Sequence, residues 1–95
     1  MNPADARRII RERAEDSGHI VIVPHARKRM FEREIDFLDI QRVLRGGSII
    51  EGPYEELRTG HERCTMTGLV DGRWVRVVIE IPVDAPDLLV VTVID

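Results

Sequence analysis

The chain has 95 residues, 43% of them hydrophobic and 33% charged, and its net charge is −3. That size suits one domain, residues 1–95, with one core. The single cysteine, Cys64, excludes an internal disulfide and fits a reducing cytoplasm. No apolar run approaches the length of a membrane span, the first residues lack a signal peptide's apolar core, and no repeat or low-complexity segment is visible. Charge is unevenly spread: residues 1–33 hold eight Lys/Arg against five Asp/Glu, whereas 34–60 and 61–95 each hold three against six. The acidic balance counts against a basic nucleic-acid binder, and the positive first third keeps an anionic partner open there.

In chain order, Asn2-Pro3 reads as a capped helix start, and the helix runs to about Ser17 with Gly18 as its stop. Its apolar stripe is Ala6, Ile9, Ile10 and Ala14. His19–Val23 is a short strand or an extended lead-in. Pro24 opens a second helix to about Arg33, with Ala26 and Met30 facing inward and Phe31 beside them. A third helix, capped by Asp36, buries Phe37, Ile40, Val43 and Leu44 and ends at Gly46-Gly47. Ser48–Glu51 is a short strand stopped by Gly52-Pro53, and 54–60 is a polar loop. His61–Val70 and Arg73–Ile81 are strands joined by Asp71-Gly72, a type I′ hairpin signal. Residues 82–87 form a loop, and Leu88–Ile94 is the last strand.

The two-residue turn sets a register. Cys64 opposes Ile79, Met66 opposes Val77 and Gly68 opposes Val75, giving one apolar face. The other face carries Arg63 against Glu80, Thr65 against Arg76 and Thr67 against Trp74. The expected fold is α+β, with N-terminal helices packed on one face of a small antiparallel sheet of about four strands.

Two groups of residues carry candidate chemistry. On the outer sheet face, Arg63, Arg76, Trp74 and the threonines suit a phosphate backbone and a stacked base. The plainer reading makes Arg63–Glu80 a cross-strand ion pair and Trp74 a sheet cap or a homodimer contact. On the second helix, His25, Arg29, Glu32 and Arg33 share a face, so a proton-carrying histidine stands among phosphate-binding arginines. The plainer reading there is a solvated ion-pair face. No metal-ligand spacing is present: His61 and Cys64 fall on opposite strand faces, and His19 and His25 lack partners. Cys64 reads as a core thiol, and there is no glycine-rich phosphate loop.

The run "HARKRMFEREIDFLDIQRVLRGGSIIE" resembles DUF4258, a family of small bacterial domains of unknown function. The resemblance rests on His25, Ala26, Arg29, Met30, Arg33, Ile35, Val43, Leu44, Gly47, Ile50 and Glu51. "GRWVRVVIEI" and "LLVVTVID" look like the family's closing strands, so that residues 20–95 are covered and the helix over 1–18 lies outside. The sequence departs from the pattern at Glu34 and Asp36, where glycine and serine are usual. The family in turn looks like the RelE/ParE toxin superfamily with its MqsR and BrnT relatives.

That resemblance implies a cytoplasmic, toxin-type RNA-binding domain, a metal-independent endoribonuclease (mRNA interferase) of a type II toxin–antitoxin pair. Its substrate would be RNA, including ribosome-bound mRNA, and its partner a zinc-finger or helix-turn-helix antitoxin. No cofactor and no membrane contact are implied. His25 would carry the proton, with Glu80 or Glu32 second; Arg76, Arg29, Arg33 and Arg63 would hold phosphate; Trp74 would stack a base. The competing expectation is a non-catalytic protein-interaction module of the same fold, working through Trp74 and the exposed sheet face.

Overall fold

Local signals place the helices. In the computed structural model, which describes residues 1–95, Asn2 caps α1 (Pro3–Ala14) by accepting from the Asp5 amide at 2.8 Å. The helix ends three residues earlier than its pattern implied, because Asp16 caps a separate 3₁₀ turn, Ser17–His19, through the Gly18 amide. A three-residue strand, β1 (Ile20–Ile22), leads into α2 (Pro24–Glu32). Asp36 and Asp39 cap each other's backbone at the start of α3 (Phe37–Gly46), a reciprocal capping box. Then come β2 (Ser48–Glu55), β3 (Glu62–Val70), β4 (Arg73–Ile81) and β5 (Leu88–Ile94).

Three helices pack on an open, mostly antiparallel sheet of five strands in the order β1-β5-β4-β3-β2. The strand beyond the expected four is β1, which pairs in parallel with β5 from Ile20↔Leu88 to Ile22↔Val90. Such pairing is non-local and has no hairpin signature. β2 also runs past its expected stop at Gly52-Pro53, to Glu55. It is an edge strand, where proline's missing N–H is tolerated, and register shifts between Ile49 and Tyr54 absorb the irregular residues.

The hairpin holds one register along its whole length, from Val70↔Arg73 to Glu62↔Ile81. Asp71 and Gly72 both have positive φ, 49° and 82°, as a type I′ turn requires. The pairs Cys64↔Ile79, Met66↔Val77, Gly68↔Val75 and Arg63↔Glu80 are as expected. The two threonine pairs are not: Thr65 opposes Val78, Thr67 opposes Arg76, and Leu69 opposes Trp74. A two-residue turn leaves no slack for a slip of two positions. The assignment of faces is unchanged, because two residues restore the same side of a strand.

One cluster of 19 buried residues joins α1 (Ala6, Ile10, Ala14), α2 (Ala26) and α3 (Ile40, Val43, Leu44) to the inner sheet face. A bulge opposite Val78/Ile79 changes the phase of β5, so that Val90 and Val93 both point into this core. Gly47 lets the end of α3 lie against β3: a Cβ there would come within 2.3 Å of the Thr67 carbonyl oxygen and 2.5 Å of that of Val43. α1 is tied in by polar bonds as well. Arg13 donates to the carbonyls of Pro82 and Asp87, and Arg45 donates to those of Ala14 and Glu15.

Candidate functional site on the open sheet face

Strand alternation delivers Arg63, Thr65, Thr67 and Leu69 of β3, and Trp74, Arg76, Val78 and Glu80 of β4, to the face away from the helices. Helices do not cover its far end, where Leu69 is 59% and Trp74 63% exposed. The opposite end is closed by the chain between β2 and β3. There the Glu56 amide bonds the His61 carbonyl and the Gly60 amide bonds the Glu56 carbonyl, curling the turn over Glu80.

Glu80 is the centre of this end and is only 4% exposed. One carboxylate oxygen, Oε1, accepts from Thr59 Oγ1 at 2.9 Å and lies 3.0 Å from His61 Nδ1. The other, Oε2, accepts from Arg63 through both Nε and Nη2. Burial pushes the Glu80 carboxyl up, but hydrogen bonds from Arg63, Thr59 and His61 together outweigh it and hold the group below the ordinary range. The bond to Glu80 in turn raises the Arg63 guanidinium, which also lies 3.8 Å from Glu56. With Glu80 ionised, the His61 proton belongs on Nδ1, where it donates to Oε1. In the neutral ring this tautomer puts the lone pair on Nε2, on a side chain that is 25% exposed. An imidazole oriented by a buried carboxylate is the arrangement general acid–base chemistry uses.

The residues singled out from sequence are divided by the sheet. Arg63 and Glu80 meet, and Arg76 and Trp74 follow them along the same face. Arg76 stands four residues from Glu80 on β4, a separation of roughly 13 Å along a strand. Arg76 is exposed and forms no ion pair, unlike Arg29, Arg33 and Arg63. His25 is exposed in the first turn of α2, on the helix side, and is not brought to Glu80. Arg29 pairs with Glu32 at 3.4 Å, and Arg33 pairs with Asp95 at 2.7 Å. Cys64 is fully buried, and burial raises its thiol to about 11, with Glu62 adding to the rise. No three His, Cys, Asp or Glu side chains are grouped to hold one metal ion.

Sequence reasoning missed His61, Thr59 and Glu56 as parts of the network. For His61 the signal was present: it is two residues before Arg63 and therefore on the same strand face. Thr59 and Glu56 arrive through the turn that precedes β3, and no periodicity announces them.

Fold and site together define a small α+β domain whose open sheet face carries a carboxylate-centred polar network at one end and an exposed tryptophan at the other. The chain belongs to the family described as a domain of unknown function, DUF4258, which matches residues 22–95. No curated protein and no solved structure matches it. The family match starts at the last residue of β1, so α1 lies outside it although its side chains complete the core.

Proposed function

We propose that this domain is a toxin-type RNA-binding protein, related to the RelE/ParE superfamily, that cleaves RNA without metal on its open sheet face. The observation that carries the reading is the His61–Glu80 pair, an oriented imidazole beside an anchored arginine. In this reading His61 replaces His25 as the proton carrier. Nε2 takes the proton from a ribose 2′-OH, and the 2′-oxygen attacks the adjacent phosphorus. The P–O5′ bond breaks, leaving a 2′,3′-cyclic phosphate; the 5′-oxygen takes a proton from water to leave as a 5′-hydroxyl, and the protonated His61 returns its proton to solvent. Glu80 holds the ring and stabilises its protonated form, and so acts as a positioning residue. Arg76, the unpaired cation on the face, holds a phosphate one or more nucleotides away, and Trp74 offers a stacking surface.

The test is induced expression in a bacterial host, together with incubation of purified protein with RNA. Growth arrest with cut mRNA is expected from the wild type, and relief from His61→Ala and Arg76→Ala, while His25→Ala keeps the effect. Harmless, well-expressed wild type with intact RNA sinks the catalytic reading.

A second reading, a non-catalytic protein-interaction module, is favoured by the pairing of Arg29, Arg33 and Arg63 with carboxylates and by the exposure of Trp74 and Leu69. It expects purified wild type to leave RNA whole and Trp74→Ala to abolish partner binding.

A further inference from the structure

A second surface lies on the helix side, where the turn between α2 and α3 encloses an open groove of about 540 Å³. Met30, Phe31 and Ile35 supply its apolar lining, and Glu32, Glu34 and Asp36 supply the rest. Phe31 is 88% exposed, an unusual place for a phenylalanine with no partner in the chain. The lining contains three carboxylates, and the cations beside it are already engaged: Arg29 with Glu32, Arg33 with Asp95, and Arg73 with Asp95 and the Glu34 carbonyl. Glu32 is shared with Arg29 at 3.4 Å, and Asp36 caps α3, but the Glu34 side chain has no partner within the chain.

The backbone beneath the groove makes the arrangement more telling. α2 ends in a Schellman turn: the Ile35 amide bonds the Met30 carbonyl at 2.9 Å, and the Glu34 amide bonds that of Phe31 at 3.3 Å. Glu34 occupies the left-handed position of that turn, at φ 55°, where glycine is the easy choice. A glutamate there sets strain against a carboxylate on the groove rim. Residues kept in disfavoured conformations cluster at ligand-contacting positions.

From the charge complementarity and the exposed anchor, we infer that this groove docks a basic, amphipathic polypeptide segment of a partner protein. An apolar side chain of that segment packs on Phe31, Met30 and Ile35, and its lysines or arginines face Glu34, Glu32 and Asp36. Desolvated aromatic anchors dominate such contacts, and rim charges set their specificity. The docking surface is separate from the open sheet face and stands whether or not that face cleaves RNA.

The experiment is a titration of isotopically labelled full-length protein, followed by amide shifts. The probe is a synthetic peptide with leucines at helical i, i+3, i+4 spacing and lysines elsewhere; the control is the same peptide with glutamates. Saturable shifts confined to residues 30–38 are expected with the lysine peptide and none with the control. Phe31→Ala should weaken binding about tenfold or more, and Glu34→Lys should weaken it by a comparable factor. Both side chains are exposed, so amide spectra of these variants should otherwise stay native. Shifts spread over every acidic surface, shifts centred on Trp74, or affinity indifferent to Phe31→Ala would each overturn the inference.

Discussion

Glu80 shows how far a single residue's environment shapes what it can do. On an exposed strand its ion pair with Arg63 would contribute a few tenths of a kcal/mol. Enclosed by Thr59, His61 and Arg63, it becomes an anchored anion. Replacing it by glutamine leaves Arg63 without its main counter-charge and should cost roughly 2 kcal/mol, read from denaturant unfolding at neutral pH. The acid response follows from the same contacts. The folded carboxyl titrates below its unfolded value of about 4.3, so between the two values the unfolded state binds more protons. The stabilisation is therefore complete above about pH 4.3 and is lost as pH falls through the folded value. Unfolding midpoints measured from pH 6 to pH 2.5 should fall less steeply in Glu80→Gln than in wild type. Glu34 presents the opposite case, a residue whose backbone conformation argues against its identity. Glu34→Gly should raise stability by about 1 kcal/mol by relieving the left-handed strain. The same substitution should weaken binding of the lysine peptide, a trade-off visible by comparing melting with titration.

At the level of elements, the junction between α3 and β2 leaves no room for a side chain at Gly47. α3 ends where the chain must turn directly into a strand paired with β3, and the room comes from the missing side chain of Gly47. Both atoms that a Cβ would strike are backbone carbonyl oxygens, which cannot swing aside as a side chain can. Gly47→Ala should destabilise by about 1–3 kcal/mol or more, checked by thermal unfolding. Gly46→Ala makes a sharp control, since nothing lies within 4 Å of a Cβ there. The pair of glycines reads in sequence as a helix stop, yet only one of the two is held there by a close contact.

For the whole molecule, the telling feature is α1. It lies outside the family match, but Ala6, Ile10 and Ala14 are completely buried in the shared core. Arg13, through the carbonyls of Pro82 and Asp87, and Arg45, through those of Ala14 and Glu15, fasten its C-terminal end to the remaining chain. A chain shortened to residues 20–95 should therefore lose cooperative unfolding, and Ile10→Ala should cost about 2–5 kcal/mol, both followed by circular dichroism on heating. No helix is long and apolar enough to cross a membrane.

Sequence by itself determined the helices, through Asn2, Pro24 and Asp36, and the central hairpin, through Asp71-Gly72. Caps and two-residue turns act over a few positions, so their physics is written locally. The hairpin register then placed Arg63 beside Glu80 and Trp74 on the open face, and strand alternation held enough to place His61 there too. Tertiary structure alone decided the parallel pairing of β1 with β5, the curl that brings Thr59 over Glu80, and the separation of His25 from Glu80 by the thickness of the sheet. Those outcomes depend on chain segments distant in sequence meeting across a packed core, and no periodicity of 2 or 3.6 residues carries that information.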